Sequence, residues 1–160
     1  MPLPFRRILC PIDFSDNSLD ALDIAASIVR GNAGVLFVLH VVPMAIPPTG
    51  MPPYVSIYDE EEAAKQRLNE IAGQRLAGLK HELLIQLGEP ARRIVDCVKA
   101  KAADLVVTGT HGRRGMSHVL LGSVAEFVVR RAACPVLVIR QAHKEKNPLG
   151  HTTAPQSGHG

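Results

Sequence analysis

The nine residues GVLFVLHVV (34–42) form a nearly unbroken apolar run that stops at Pro43. A strand with one wet face alternates polar and apolar side chains. A run this uniform belongs to a strand covered on both faces, as in a parallel sheet layered between helices. Parallel neighbours cannot be joined by a hairpin, so each connection must be a long crossover, usually a helix. One short segment thus demands strand–helix alternation from the rest of the chain.

The remaining segments meet that demand. RILCPI (7–12) reads as a first strand ending near Asp13. DFSDNS (13–18) offers Ser15 or Asn17 as the N-cap of a helix whose stripe is Leu19, Leu22, Ala26 and Val29, closed by Gly31. The segment 43–56 holds five of the chain's twelve prolines, so regular structure is not expected to cross it. Its length suits either a lid or a plain crossing.

A second helix is expected from about Ile57 to Glu60 onward, with DEEE (59–62) at its positive N-terminal end. Its stripe is Leu68, Ile71, Ala72, Leu76 and Leu79, weakened by internal Gly73 and Gly78. HELLIQLG (81–88) is strand-like, although ELLIQL also suits a helix. EPARRIVDCVKAKA (89–102) reads as a helix with Pro90 in its first turn and Ala91, Ile94, Val95 and Val98 buried. DLVVTG (104–109) is a strand, and Leu120, Val124, Phe127, Val128 and Arg131 follow at helical spacing. CPVLVI (134–139) is the last strand. The alternation predicts one α/β domain over residues 1–141: an open, mainly parallel, twisted sheet of five strands with helices on both faces. Residues 142–160 are almost free of apolar side chains and are expected to form a disordered polar tail. Its histidines, His143, His151 and His159, are too scattered to argue for a metal.

Composition narrows the function classes. Aromatics are only 4% of the chain and Trp is absent, so the core must be Val, Leu, Ile and Ala. The net charge of +3 is spread along the chain without Arg–aromatic interleaving, which argues against a nucleic-acid binder. Cys10, Cys97 and Cys134 show no zinc spacing and read as free, reduced thiols. No apolar run approaches membrane-spanning length, and MPLPFRRILCPIDFS carries no signal-peptide core. A cytoplasmic protein with no membrane partner is expected.

In an open parallel sheet, ligands bind beyond the carboxyl ends of the strands, where strand order reverses. Asp13, the Val41–Val42 pair and Gly109 end strands one, two and four. Asp13 is either a plain loop or capping carboxylate or an acceptor for a ribose hydroxyl or a base amino group. VVTGTHGRRGMSHVLLGSVAEFVV (106–129) then adds four glycines, two arginines and two histidines. Glycines at 109–115 permit close backbone approach and an anion-binding nest. Gly122-Ser123 opens a helix whose free N–H groups and dipole favour negative charge. No lysine follows the glycines, so this is not a standard P-loop. The combination suits a phosphate cradle built from backbone amides and the Ser123 hydroxyl; a glycine-rich turn followed by an ordinary Gly-Ser cap is the plainer alternative.

Here the chain resembles the universal stress protein family, in its ATP-binding branch. The family pattern of Gly, two residues, Gly, nine residues, then Gly and Ser or Thr is matched by Gly109, Gly112, Gly122 and Ser123. ILCPIDFSDNSLDAL, VLHVV and CPVLVI are similar to the family's first strand and helix, second strand and last strand. The resemblance covers about residues 4–140 and implies a Rossmann-like, adenine nucleotide alpha-hydrolase-like fold. It implies ATP as ligand, with AMP or ADP as alternatives, and Mg²⁺ or Mn²⁺ only as a companion of the phosphates. It gives Asp13 to adenine or ribose, and Val41 to the base with Pro11 and Ile12 nearby. It gives Gly109 to ribose, and Gly112, Gly122 and Ser123 to phosphates, with a backbone contact from Val124. Arg113 and Arg114 have no fixed family role, and either reach phosphates or sit in solvent; His111, in the same loop next to Gly112, is expected close to the ligand. The family further implies a homodimer joined through the last strand, 135–139 here. The proline-rich segment and the tail depart from the family core.

Three functions follow: a stress-response or regulatory ATP-binding protein, a slow ATPase or phosphoryl-transfer enzyme, and an interaction module with an idle pocket. Catalysis needs groups that position water and stabilise charge. Asp13 is the sole carboxylate that the sequence places at the site, and no nucleophile–base pair is evident, so no catalytic residue is assigned.

Overall fold

The computed structural model describes residues 5–44, 53–110 and 121–140, with residues 53–56 described in backbone only. The nine elements run β1 (Arg7–Pro11), α1 (Asp16–Asn32), β2 (Val35–Val42), α2 (Pro53–Arg75), β3 (His81–Leu87), α3 (Pro90–Ala100), β4 (Leu105–Gly109), α4 (Ser123–Arg131) and β5 (Val136–Ile139). All neighbouring strands are parallel, in the order β3-β2-β1-β4-β5. The expected five-stranded Rossmann-like α/β sheet is therefore present.

The chain first winds from β1 outward to β3, then returns to the other side of β1 for β4 and β5. With right-handed crossovers, that reversal puts α1 and α2 on one face of the sheet and α3 and α4 on the other. The packing records it. Ile8, Cys10, Leu36, Val38, Leu105 and Val107 join a core with residues of α1 and α2. Their alternates Leu9, Phe37, Leu39, Val41 and Val106 join a second core with Ile94, Cys97 and Val98 of α3 and Val128 of α4. Successive strand side chains point to opposite faces, so the unbroken apolar run of β2 feeds both layers. β3 is a strand, settling the ambiguity of ELLIQL: it pairs with β2 over seven residues, from Leu36 opposite His81 to Val42 opposite Leu87.

Several local expectations are corrected. Ser15 does cap α1, its side chain accepting from the Ser18 N–H, but Gly31 does not close that helix. The left-handed residue is Ala33, at φ 51°, and the glycine requirement falls on Gly34. A Cβ on Gly34 would lie only 2.5 Å from the Arg6 carbonyl oxygen, where the Val35 N–H starts the β1–β2 pairing. The second helix starts at Pro53, inside the segment expected to lack regular structure. Proline is tolerated there because a first-turn N–H has no helical acceptor to lose. The DEEE run consequently lies beyond the first turn, which carries no acidic residue. Gly78 is not internal either; it sits at φ 75° in the turn after α2. Glu89 is the N-cap of α3 rather than part of it, its carboxylate accepting from the Ala91 and Arg92 N–H groups. The expected polar tail and its histidines lie outside the described residues.

Cys10 and Cys97 are buried and Cys134 partly so, all three as free thiols. Burial is the leading cause pushing each thiol upward; at Cys134 the nearby Asp104 carboxylate adds to it. A thiol whose folded value is raised stabilises the fold below its unfolded value and loses that contribution as pH rises through the folded one. Folding stability is therefore expected to decline as pH passes about 9, most of all through Cys10. Urea unfolding of wild type and Cys10→Ala at neutral and alkaline pH reads this directly. Equal pH slopes in the two proteins would rule it out.

Candidate functional site

The β1 ladder aligns Pro11 with Leu39 of β2, and Leu9 with Val106 of β4. Val41 lies near the end of β2, Ile12 and Asp13 directly follow β1, and Gly109 and Thr110 end and follow β4, so these residues gather in a row at the carboxyl ends of three adjacent strands. This row is the carboxyl edge of the sheet at the β1–β4 switch point, where the winding reverses. Pro11, Ile12, Asp13, Val41 and Gly109 are all brought to it.

Ile12, Asp13 and Thr110 are each held by hydrogen bonds from neighbouring elements. Ile12 donates its N–H to the Leu39 carbonyl at 2.8 Å, and its own carbonyl lies 2.9 Å from His40 Nδ1. Asp13 Oδ1 accepts from the Ser15 N–H at 3.0 Å and from Ser15 Oγ at 2.5 Å, while the Asp13 N–H donates to Ser18 Oγ at 3.3 Å. The acidic side chain is thereby fixed to the start of α1, which is itself capped by the same Ser15. The cap and the carboxylate are one hydrogen-bonded unit, so Asp13 supports the capping Ser15 as a loop carboxylate.

Gly109 has a packing reason of its own. A Cβ there would stand 2.3 Å from Asn17 Oδ1. Asn17 is buried, its Nδ2 donates to the Ile139 carbonyl at 3.1 Å, and its Oδ1 accepts from Thr110 Oγ1 at 3.4 Å. One amide therefore ties α1 to the ends of both β4 and β5. Thr110 in turn donates its N–H to Ile139 and accepts at its carbonyl from the Gly122 N–H at 2.7 Å. That last bond brings the two ends of the glycine-rich segment together at the sheet edge.

Beyond it, α4 begins at Ser123. Gly122 is its N-cap and, among the described residues, no side chain caps it, unlike the starts of α1 and α3. Its first-turn N–H groups and positive dipole end thus stand at the carboxyl edge with no side-chain cap among the described residues. A cavity of about 330 Å³ lies between the starts of α3 and α4, lined by Glu89, Ala91, Arg92, Ser123, Val124 and Phe127. A second, of about 370 Å³, shares Glu89 and is completed by Pro43, Met44, Gly88 and Pro90. Ser123 and Val124 therefore stand beside open space of a size a small ligand needs.

Gly112 and Arg113, like His111 and Arg114, lie outside the described residues. Sequence reasoning missed Asn17 as the packing partner of Gly109, Thr110 as the anchor of Gly122, and Glu89 and Arg92 as cavity walls. For Glu89 a local signal existed, since a residue before a helix-opening proline is an N-cap candidate. The partners of Asn17 are about a hundred residues away in sequence, and no local pattern marks them.

Among the described residues, no helix is long and apolar enough to cross a membrane, and no three His, Cys, Asp or Glu side chains group to hold a metal ion.

Comparison with known proteins agrees with this architecture. The model of the universal stress protein family matches residues 4–140. Universal stress protein MJ0531 of Methanocaldococcus jannaschii is 34% identical over 148 residues, spanning 88% of this chain and 85% of that protein. Among solved structures, universal stress protein UspA from Lactobacillus plantarum superposes with a TM-score of 0.71 at 29% identity, covering 86% of this chain and 99% of its own. The fold is also shared with a universal stress protein solved in complex with cAMP, at TM-score 0.65 and 24% identity, covering 86% and 98% of the two chains. A universal stress protein from Archaeoglobus fulgidus, solved with dAMP, gives 0.60 at 24%, covering 85% and 98%. With the sheet order, the glycine spacing and the family match in agreement, the chain belongs to the universal stress protein family.

Proposed function

We propose that this chain binds an adenine nucleotide at the carboxyl edge of its sheet and acts by binding, in stress response or regulation. ATP is the expected ligand, with AMP or ADP as alternatives. The observation that carries the reading is the gathering of Val41, Asp13 and Thr110 at the carboxyl ends of β2, β1 and β4, joined through the 2.7 Å Gly122–Thr110 bond to the start of α4, which no side chain among the described residues caps. A fixed carboxylate suits ribose or base, and an uncapped helix start suits phosphate. Adenine nucleotides in two relatives of the same fold support the ligand class. Mg²⁺ or Mn²⁺ would arrive with the phosphates. Calorimetry with ATP, and mass spectrometry of nucleotide retained through purification, test the reading; no heat at millimolar ATP and no retained nucleotide would sink it.

The same reading includes a homodimer through β5. That strand is a sheet edge, its side chains are only partly covered, and Leu137 is exposed. An apolar edge left bare invites pairing, and antiparallel pairing of two copies covers both. Leu137→Arg sets like charges against each other across such a seam. Light scattering after size exclusion is expected to show a dimer for wild type and a monomer for the variant. A monomeric wild type would remove the dimer and leave the nucleotide site untouched.

A further inference from the structure

Phe14 follows Asp13 and occupies the left-handed region at φ 67°, although it is neither glycine nor asparagine. Such a backbone is unfavourable for a bulky residue and persists where the surroundings enforce it. Here they do. The ring is 8% exposed and belongs to the core that includes Ala64 and Leu68 of α2. It lies 4.4 Å from the His40 ring of β2, centroid to centroid. The Arg67 guanidinium of α2 sits over it at 4.5 Å. A stack from α2 through Phe14 to β2 therefore grips the residue beside the site carboxylate. His40 closes the arrangement from below through the Ile12 carbonyl, at 2.9 Å.

We propose that Phe14 is a positioning residue for nucleotide binding: its buried, left-handed geometry aims Asp13 across the switch point, and Arg67 couples that aim to α2. This rests on the nucleotide reading above. The left-handed turn is what lets the chain leave β1 at Asp13 and reach Ser15, whose N–H and hydroxyl both hold Asp13 Oδ1. A relaxed backbone at position 14 would redirect the carboxylate without touching any phosphate contact. The role is thus confined to the nucleoside half of the ligand.

The test compares adenosine and ATP affinity, by calorimetry, in wild type, Phe14→Leu, Phe14→Gly, Arg67→Ala and Arg67→Lys. Phe14→Leu keeps apolar bulk and loses the stack; Phe14→Gly adopts positive φ freely and loses the grip. Both are expected to weaken adenosine and ATP by the same factor, roughly tenfold, the scale of a charge-assisted hydrogen bond set out of line. Arg67 is exposed, so Arg67→Ala does not threaten the fold; it should weaken both ligands by about twofold, and Arg67→Lys, which keeps the cation, should recover the loss. Unchanged affinities in the folded variants, or a loss confined to ATP, would overturn the positioning role while the nucleotide reading stands. A wild type that binds neither ligand overturns both.

Discussion

Gly122→Asp is expected to abolish ATP binding while leaving the protein as stable as wild type or slightly more so. Gly122 is the N-cap of α4 with φ −60° and ψ 155°, a conformation open to any residue. Aspartate is a preferred N-cap, so its carboxylate should accept from the first-turn N–H groups and add a few tenths of a kcal/mol. Those are the donors the proposal gives to phosphate. The new charge occupies their direction and repels the ligand; a pair of like charges near a protein surface repels by several kcal/mol at about 4 Å. A fall in ATP affinity of at least about 100-fold is expected, equivalent to about 2.7 kcal/mol. Adenosine, which has no phosphate, should bind the variant as it binds wild type. Calorimetry with both ligands, beside a thermal melt without either, separates the effects. Undiminished ATP affinity would place the phosphates somewhere other than the start of α4.

The largest expected loss of stability comes from a single methyl group. Gly109→Ala puts a Cβ 2.3 Å from Asn17 Oδ1, 2.9 Å from its Cγ and 3.2 Å from its backbone carbon. The amide cannot simply swing away. It is 7% exposed, and turning it gives up its bonds to Ile139 and Thr110 in a buried setting. Overpacking and disrupted buried hydrogen bonds together are expected to destabilise by about 3 kcal/mol, read by urea unfolding without nucleotide. Asn17→Ala loses the bonds but also opens space. The double variant should therefore be more stable than the sum of the two single losses allows. A change below about 0.5 kcal/mol for Gly109→Ala would mean that the α1–β4 approach is looser than described. Gly109 is thus needed for packing whether or not it also touches ribose, and weakened binding in a Gly109 variant is no proof of a lost ligand contact.

The contrast between these two glycines shows what could be read from the chain. The β2 run, the alternation of its neighbours and the stripe Ala91–Ile94–Val95–Val98 carried the layered sheet, because burial imposes its period directly on sequence. The places where elements begin were less legible. Pro53 opens α2 inside a proline-rich stretch, since proline is a poor interior residue but an acceptable first one. Ala33 rather than Gly31 takes the left-handed turn after α1, because the tight approach of Gly34 to Arg6 fixes where the chain must bend. At the site, Asp13, Gly109 and the Gly122-Ser123 pair stood out by residue type and spacing. Asn17, Thr110 and the left-handed Phe14 did not, because each owes its role to partners on other strands and helices. Gly112 and Arg113 fall outside the described residues; the phosphate role of Gly112 rests on the resemblance alone, which gives Arg113 no fixed role.

The reversal of winding at β1 also has a kinetic meaning. Ile8 pairs with Leu105 and Leu9 with Val106, a separation of 97 residues in each case. Closing so long a loop is slow and entropically costly, so pairings of this kind form late. A folding chain can complete β1, β2 and β3 with α1 and α2, and present Asp13, before Gly109 has any neighbour to face. A site that needs both Asp13 and Gly109 would exist only while the β1–β4 pairing holds. A ligand held there would act as a lock on a finished molecule: it would lengthen the folded lifetime and leave the speed of folding unchanged.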